Sequence, residues 1–166
     1  MTTPKASEVG STFRATHSTV VIGHGLSGRE TVKEILSTKC DTVITVIEAN
    51  KFYETDVGAP FALANKEYYG TNLSAPQHTL QVKGVNYVNG TVAKIEKQGN
   101  SYIISVEGKD EVLADALVIA TSFAHPLTKP GVGMSWEARK VELDNFRKAI
   151  VEADNVLVAG GGSVGC

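Results

Sequence analysis

Cysteine is scarce in this 166-residue chain: there are two, Cys40 and the terminal Cys166. That excludes a disulfide framework, and their spacing makes neither a Cys-x-x-Cys nor a Cys-x4-Cys redox centre. A reducing, intracellular setting is expected. An excess of one charge is also lacking. Sixteen Lys+Arg stand against 18 Asp+Glu, a net charge of −2, so no field draws the chain to nucleic acid or to an anionic membrane. No apolar run approaches the ~18–20 residues that span a bilayer. The histidines (His17, His24, His78 and His125) show no metal-ligand spacing. Residues 1–17 carry Lys5, Glu8 and Arg14 with no apolar stretch between them, unlike a secretory signal, and read as a disordered tail. What remains is ordinary globular composition, 42% hydrophobic and 20% charged. The length fits one domain, or one domain and part of another.

Glycine, with 16 residues, is well supplied and informatively placed. Thr19-Val20-Val21-Ile22 is a β-branched run that reads as a buried strand. Gly23-His24-Gly25-Leu26-Ser27-Gly28 follows at once. Leu26, Val32, Ile35 and Leu36 then recur at near-helical spacing, with Glu30, Lys33 and Glu34 on the other face. A second strand, residues 42–47, ends in Glu48. The opening is therefore one βαβ unit of about 30 residues.

Residues 50–60 are polar and read as loop. A short helix runs from Pro60 through Tyr68, with Gly70 to stop it. Residues 71–81 read as loop. Short strand patterns at 85–88, 91–97, 101–107 and 111–114, with Gly99-Asn100 and Gly108-Lys109 at turns, predict an inserted antiparallel meander. Residues 116–120 return to a buried-strand pattern. Pro126, Pro130, Gly131 and Gly133 mark a linker. Residues 136–153 read as a helix with Val141, Phe146, Ile150 and Ala153 toward the interior. The chain then repeats its beginning: Leu157-Val158-Ala159 precede Gly160, Gly162 and Gly165 as Val20-Val21-Ile22 precede Gly23, Gly25 and Gly28.

Such a strand-glycine-helix unit suits a dinucleotide. The first glycine permits the turn, the second lets a pyrophosphate approach the backbone, and the third lets helix and sheet pack closely. The helix N-terminus offers unpaired N–H groups and partial positive charge. An acid about 20 positions on should accept from ribose hydroxyls, and Glu48 stands there. No Arg beside it awaits a 2′-phosphate; Lys51 is the nearest cation. His24 reads as a surface or cofactor-edge residue, and Tyr53, Tyr68, Tyr69 and Trp136 as packing residues. Rival motifs fail. A P-loop needs Gly-Lys-Ser/Thr where Gly28 is followed by Arg29-Glu30. Gly161 to Gly165 matches a hydrolase elbow but has no later Asp and His.

Taken together, residues 20–28, Val46-Ile47-Glu48, the meander, residues 115–121 and residues 156–165 make the chain resemble the N-terminal part of the FAD-dependent pyridine nucleotide oxidoreductases, flavoproteins with two dinucleotide-binding domains. Within them it is similar to the apoptosis-inducing-factor homologues and type II NADH dehydrogenases, not the disulfide reductases. The resemblance implies FAD at Gly23, Gly25, Leu26, Ser27, Gly28, Glu48, Ala49 and Lys51, with Val92 near the adenine and Ala120-Thr121 beside the cofactor. Gly160, Gly162 and Gly165 would face NAD(P)H. It implies no catalytic side chain, because the cofactor carries the chemistry; no metal is expected, from the histidine spacing above. Two positions depart from the family: Ser122 stands for its usual Gly and Ala114 for a frequent Tyr.

The expected fold is α/β, a Rossmann-like FAD/NAD(P)-binding domain with a parallel sheet and an inserted antiparallel meander. The expected organisation is a tail at 1–17, the FAD-binding domain at 18–125 with the meander at about 85–114, a linker and helix at 126–153, and the start of a truncated NAD(P)H-binding domain at 154–166. The expected function is hydride transfer from NAD(P)H to FAD, with electrons passed to a small quinone-like acceptor, incomplete in this chain. The alternatives are a non-catalytic nucleotide-binding fragment and a single-domain NAD-binding protein. A cytoplasmic location is expected, with a mitochondrial one as the alternative.

Overall fold

The computed structural model describes residues 17–55, 58–69, 74–121, 127 and 129–159. The tail at 1–16, Gly70, Ser122, His125, Pro126 and the second glycine motif at 160–165 lie outside the described residues.

Strand β1 (His17–Ile22), helix α1 (Leu26–Ser37) and strand β2 (Thr42–Glu48) form the βαβ unit read from the sequence. The strands pair in parallel, Val20 opposite Thr45 and Ile22 opposite Ile47. Alternation along them feeds two cores. Val20, Ile22 and Ile47 face one side; Val21, Ile44 and Val46 pack with Val32 of α1 on the other. Each such side chain, when fully buried, contributes roughly 1.5–3 kcal/mol. In α1 the sequence reading is corrected: Val32 is buried, but Leu26 and Leu36 are exposed. Leu26 belongs to the first turn, beyond the strip that the sheet covers.

The segment read as polar loop after β2 contains strand β3 (Phe52–Glu54), buried throughout. It is followed by helix α2 (Ala59–Ala64), the single turn α3 (Lys66–Tyr68), and strand β4 (Ser74–Pro76), which pairs antiparallel with β3. A 3₁₀ turn (Gln77–Leu80) leads to strand β5 (Val85–Asn89). This strand is not part of the meander. It pairs in parallel with β2, Val46 opposite Tyr87. Val85 and Tyr87 pack on the α1 side of the sheet and Val88 on the other, so the long crossover from β2 is driven by burial of both faces. The meander comprises β6 (Val92–Gln98), β7 (Ser101–Val106) and β8 (Val112–Ala114). Its Ile104 and Val106 cover Val20, Ile22 and Ile47.

Strand β9 (Ala116–Ile119) returns to pair in parallel with β1. The four-stranded parallel sheet has the order β5-β2-β1-β9. β9 lies at its edge, so Leu117 and Val118 are half-buried and Ile119 is exposed, less buried than the apolar pattern predicts. The junction into β9 is pinned at Asp115, which accepts from the Ser18 N–H at 2.8 Å. That bond, with a second from the Ser18 hydroxyl, holds the Asp115 carboxyl below its ordinary range.

Helix α4 (Trp136–Glu152) packs on α2, but with a face the sequence did not indicate. Arg139 and Leu143 are its buried residues; Val141, Ile150 and Ala153 are exposed and Phe146 is half-buried. Residues 156–159, expected as a strand, have no regular structure and are exposed. Among the described residues no strand pairs with them, and an unpaired segment gains nothing from extension.

Candidate functional site

Strand order places the site. The chain winds from β1 to β2 and β5 on one side, then crosses to β9 on the other, so a switch point lies between β1 and β9. In open α/β sheets the crevice beyond the carboxyl ends of the strands at such a point is where ligands bind. A cavity of about 540 Å³ lies there, lined by Ile22 and Gly23 at the end of β1, Ile47 to Asn50 at the end of β2, Gly90 to Val92 between β5 and the start of β6, and Ala120-Thr121 after β9. The volume is in the range of small-molecule pockets, about 300–1,000 Å³.

The three glycines of the first motif differ in what demands them. Gly23 has φ +97°, where a side chain is strained, and an added Cβ would lie 2.5 Å from the Ala120 carbonyl oxygen. A Cβ on Gly28 would lie 2.0 Å from the Gly23 carbonyl oxygen. Both glycines are required by the fold itself. Gly25 is different. Its φ of −69° and ψ of −166° suit any residue, and a Cβ there would meet nothing within 4 Å. Gly25 is the N-cap of α1, with no side-chain cap and no acidic residue in the first turn. The first bond of the helix is Arg29 N–H to the Gly25 carbonyl, 3.0 Å. The amides of Leu26, Ser27 and Gly28 come before it and have no acceptor within the helix.

Glu48 sits across the motif. Its Oε2 accepts from the His24 N–H at 2.7 Å and its Oε1 from the Asn50 N–H at 2.9 Å. An ionised carboxylate has about four acceptor sites, so these two bonds fix its orientation and leave capacity for hydroxyl donors. The His24 ring is 1% exposed, more enclosed than a surface position. Its Nδ1 is 2.7 Å from Gln77 Oε1, and its edge meets the Tyr87 ring with centroids 5.2 Å apart.

Of the residues read from the sequence, Gly23, Gly25, Leu26, Ser27, Glu48, Ala49, Val92, Ala120 and Thr121 line this one cavity. Gly28 supports the turn from behind. Lys51 does not line the cavity; it precedes the buried β3 with its side chain exposed. Gly160, Gly162 and Gly165 lie outside the described residues. Two walls were missed by the sequence reading. β3 supplies Phe52, Tyr53 and Glu54, and Tyr53 lies under the Arg29 guanidinium, 4.8 Å from carbon to ring centroid. The Phe52-Tyr53 pair was a usable signal, because two aromatics within a polar stretch favour a strand. The segment before α4 supplies Lys129, Pro130 and Val132. Lys129 donates to the Thr121 carbonyl, and among the described lining residues it is the only Lys or Arg. No local signal brings that segment here. Among the described residues, no cluster of His, Cys, Asp and Glu could hold a metal ion, and no helix is long and apolar enough to cross a membrane.

A parallel sheet with a glycine turn at its switch point and an acid ending its second strand is a Rossmann-like fold of the FAD/NAD(P)-binding type. Comparison with known proteins agrees. Over 153 residues the chain is 30% identical to apoptosis-inducing factor homolog B of Dictyostelium discoideum, covering 89% of this chain and 36% of that protein. It is 28% identical to homolog A of the same organism over 157 residues, covering 89% and 34%. The chain thus spans about a third of the length of the curated relatives it matches. Its fold matches the X-ray structure of the sulfide:quinone oxidoreductase from the hyperthermophilic bacterium Aquifex aeolicus, with TM-score 0.61 and 16% identity over 82% of this chain and 33% of that one. No protein-family model matches the chain. In sequence the chain resembles the apoptosis-inducing-factor homologues along nearly its whole length, and it shares its fold with the sulfide:quinone oxidoreductase.

Proposed function

We propose that the cavity holds FAD, and that the chain is the FAD-binding part of an oxidoreductase that passes a hydride from NAD(P)H to the flavin and electrons on to a quinone-like acceptor. Gly25 carries this reading. The fold would accept a side chain there, and Ser, Asp or Asn at an N-cap would stabilise the helix by a few tenths of a kcal/mol over Gly. Glycine instead keeps the backbone bare where the unpaired amides of α1 meet the cavity, which is the cradle a diphosphate needs. The residues present therefore fit the cofactor.

On this reading the Leu26 and Ser27 amides, which line the cavity, bind the diphosphate and Lys129 balances its charge. Glu48, held by its two backbone bonds, accepts from the adenosine ribose. Val92 meets the adenine through its backbone, and Ala49, Ala120 and Thr121 pack beside the cofactor. Residues 18–125 would form the FAD unit, with Gly160, Gly162 and Gly165 opening a site for NAD(P)H. Bound FAD would supply the hydride acceptance that no side chain of this chain offers. A quinone-like acceptor is proposed because a protein of the same fold is a sulfide:quinone oxidoreductase.

The test is to purify the chain, titrate it with FAD, and add NADH without oxygen. Yellow protein that bleaches supports the oxidoreductase. Yellow protein that does not bleach supports a nucleotide-binding fragment, the second reading, favoured by the unpaired residues 156–159. Colourless protein that binds NAD alone overturns FAD in favour of a single-domain NAD-binding protein.

A further inference from the structure

Helix α4 carries a buried arginine that is not among the residues lining the cavity. Arg139 is 0% exposed. Its Nε and Nη2 donate to the Glu54 carboxylate, the shorter bonds being 3.0 Å to Oε2 and 2.8 Å to Oε1. The same Nη2 donates to the Leu127 carbonyl at 3.1 Å, and Nη1 to Glu142 at 2.5 Å. Tyr69 donates its hydroxyl to Glu54 Oε2 at 2.7 Å. Burial alone would weaken the guanidinium's hold on its proton; the bonds to Glu54 and Glu142 outweigh it and raise the pKa above the ordinary arginine range. Glu54 is therefore committed to Arg139 and Tyr69 and acts as wall rather than ligand.

Two of the acceptors of Arg139, Glu54 and the Leu127 carbonyl, matter because of where they lie. Glu54 is in the β3 wall of the cavity, beside Tyr53. Leu127 is two residues from Lys129, in the segment that forms another wall. One guanidinium thus joins two cavity walls that are more than 70 residues apart in sequence. An arginine suits this task because its planar fork serves several acceptors at once in fixed directions. A buried ion pair is weak evidence of stability, since apolar pairs of similar volume often hold a fold equally well. Its geometry is what an apolar pair cannot reproduce.

We propose that Arg139 is a positioning residue for the dinucleotide: by bonding both Glu54 and the Leu127 carbonyl, it fixes the β3 wall and the 129–132 wall at the separation the bound cofactor requires. The proposal rests on the FAD reading above. Arg139 touches no cofactor itself and acts through the walls it joins.

The double variant E54M/R139M tests it, because it removes the pair without stranding a buried charge. The readouts are FAD affinity, the visible absorption and circular dichroism of bound flavin, and the melting temperature without FAD. L143A, on the same buried face but outside the lining of the cavity, reports what loss of helix packing alone does. The expected result is that E54M/R139M folds, weakens FAD binding by at least about tenfold through lost preorganisation, and changes the flavin circular dichroism, while R139K partly restores affinity. L143A should lower the melting temperature and leave the flavin spectrum unchanged. A stable E54M/R139M protein with native affinity and spectrum would overturn this proposal alone. So would an L143A protein showing the same loss of affinity. If E54M/R139M fails to fold, R139K takes its place, and native affinity and spectrum in R139K overturn the proposal. If the native chain binds no FAD, the FAD reading falls, and the proposal with it.

Discussion

The two longest helices begin in opposite ways. α4 starts at Ser135, whose hydroxyl accepts from the Ala138 N–H at 3.1 Å, and Glu137 stands in its first turn. Its N-terminus is completed by its own side chains. α1 starts at Gly25 with no capping side chain and no first-turn acid. Both ends carry the same partial positive charge and the same orphan amides. One is closed by the chain and lies outside the lining of the cavity; the other is left open and lines it. The difference shows that the cap missing from α1 is not demanded by the backbone, since a Cβ at Gly25 has open space around it.

Substitutions in the glycine turn sharpen the contrast most. Gly28→Ala places a Cβ against the backbone carbonyl of Gly23, and neither atom can move without opening the β1–α1 turn. A loss of about 4 kcal/mol or more is expected, measured by urea unfolding. Gly25→Asp should do the reverse. It gives α1 the cap and the charge that α4 has, so the melting temperature should hold or rise. The same carboxylate would occupy and repel the diphosphate site, and FAD affinity should fall by about a hundredfold, or about 2.7 kcal/mol. Equal FAD binding by native and Gly25→Asp protein would reject the diphosphate assignment. Ser135→Ala, the matching change in α4, should cost about 1 kcal/mol of stability and leave FAD affinity within about twofold. A large loss of affinity in Ser135→Ala would show that the closed helix start also serves the site.

What the sequence made legible follows from how local each signal was. β1, α1, β2 and Glu48 were readable because the apolar period, the glycine turn and the strand-ending acid lie within about 30 residues. Membership of β5 in the parallel sheet was not. Alternation shows that a strand has faces, but not whether its neighbour runs parallel, and Val85 to Asn89 also resembled the hairpins that follow. The buried face of α4 was hidden for another reason. Apolar periodicity looks for Val141 and Ile150, whereas the buried positions are Arg139 and Leu143, with Trp136 half-buried beside them. A charged residue becomes interior only when its partner is known, and Glu54 lies 85 positions earlier in sequence. The walls from β3 and residues 129–132 were hidden likewise, because they reach the cavity through tertiary contacts alone.

One further contrast between the two helix environments is titratable. α4 is anchored through Tyr69, which donates to Glu54, and through Trp136, whose indole N–H donates to Ser74 at 2.9 Å. Burial first, and then the neighbouring Glu54 charge, push the Tyr69 pKa well above the ordinary tyrosine value. The unfolded chain releases this proton near pH 10 and the folded chain does not. The folded state therefore binds more protons above pH 10. The stability linked to Tyr69 is fully present below that pH and falls progressively above it, until the raised pKa of the folded state is passed. Tyr69→Phe should be less stable than the native protein at pH 8, because the bond to Glu54 is gone. That gap should narrow by a little under about 1 kcal/mol between pH 8 and pH 10.5. Urea midpoints for both proteins at those two pH values measure it. A gap that stays constant would mean the phenol ionises as easily folded as unfolded, and that the α4 anchor is no more sealed from solvent than the open start of α1.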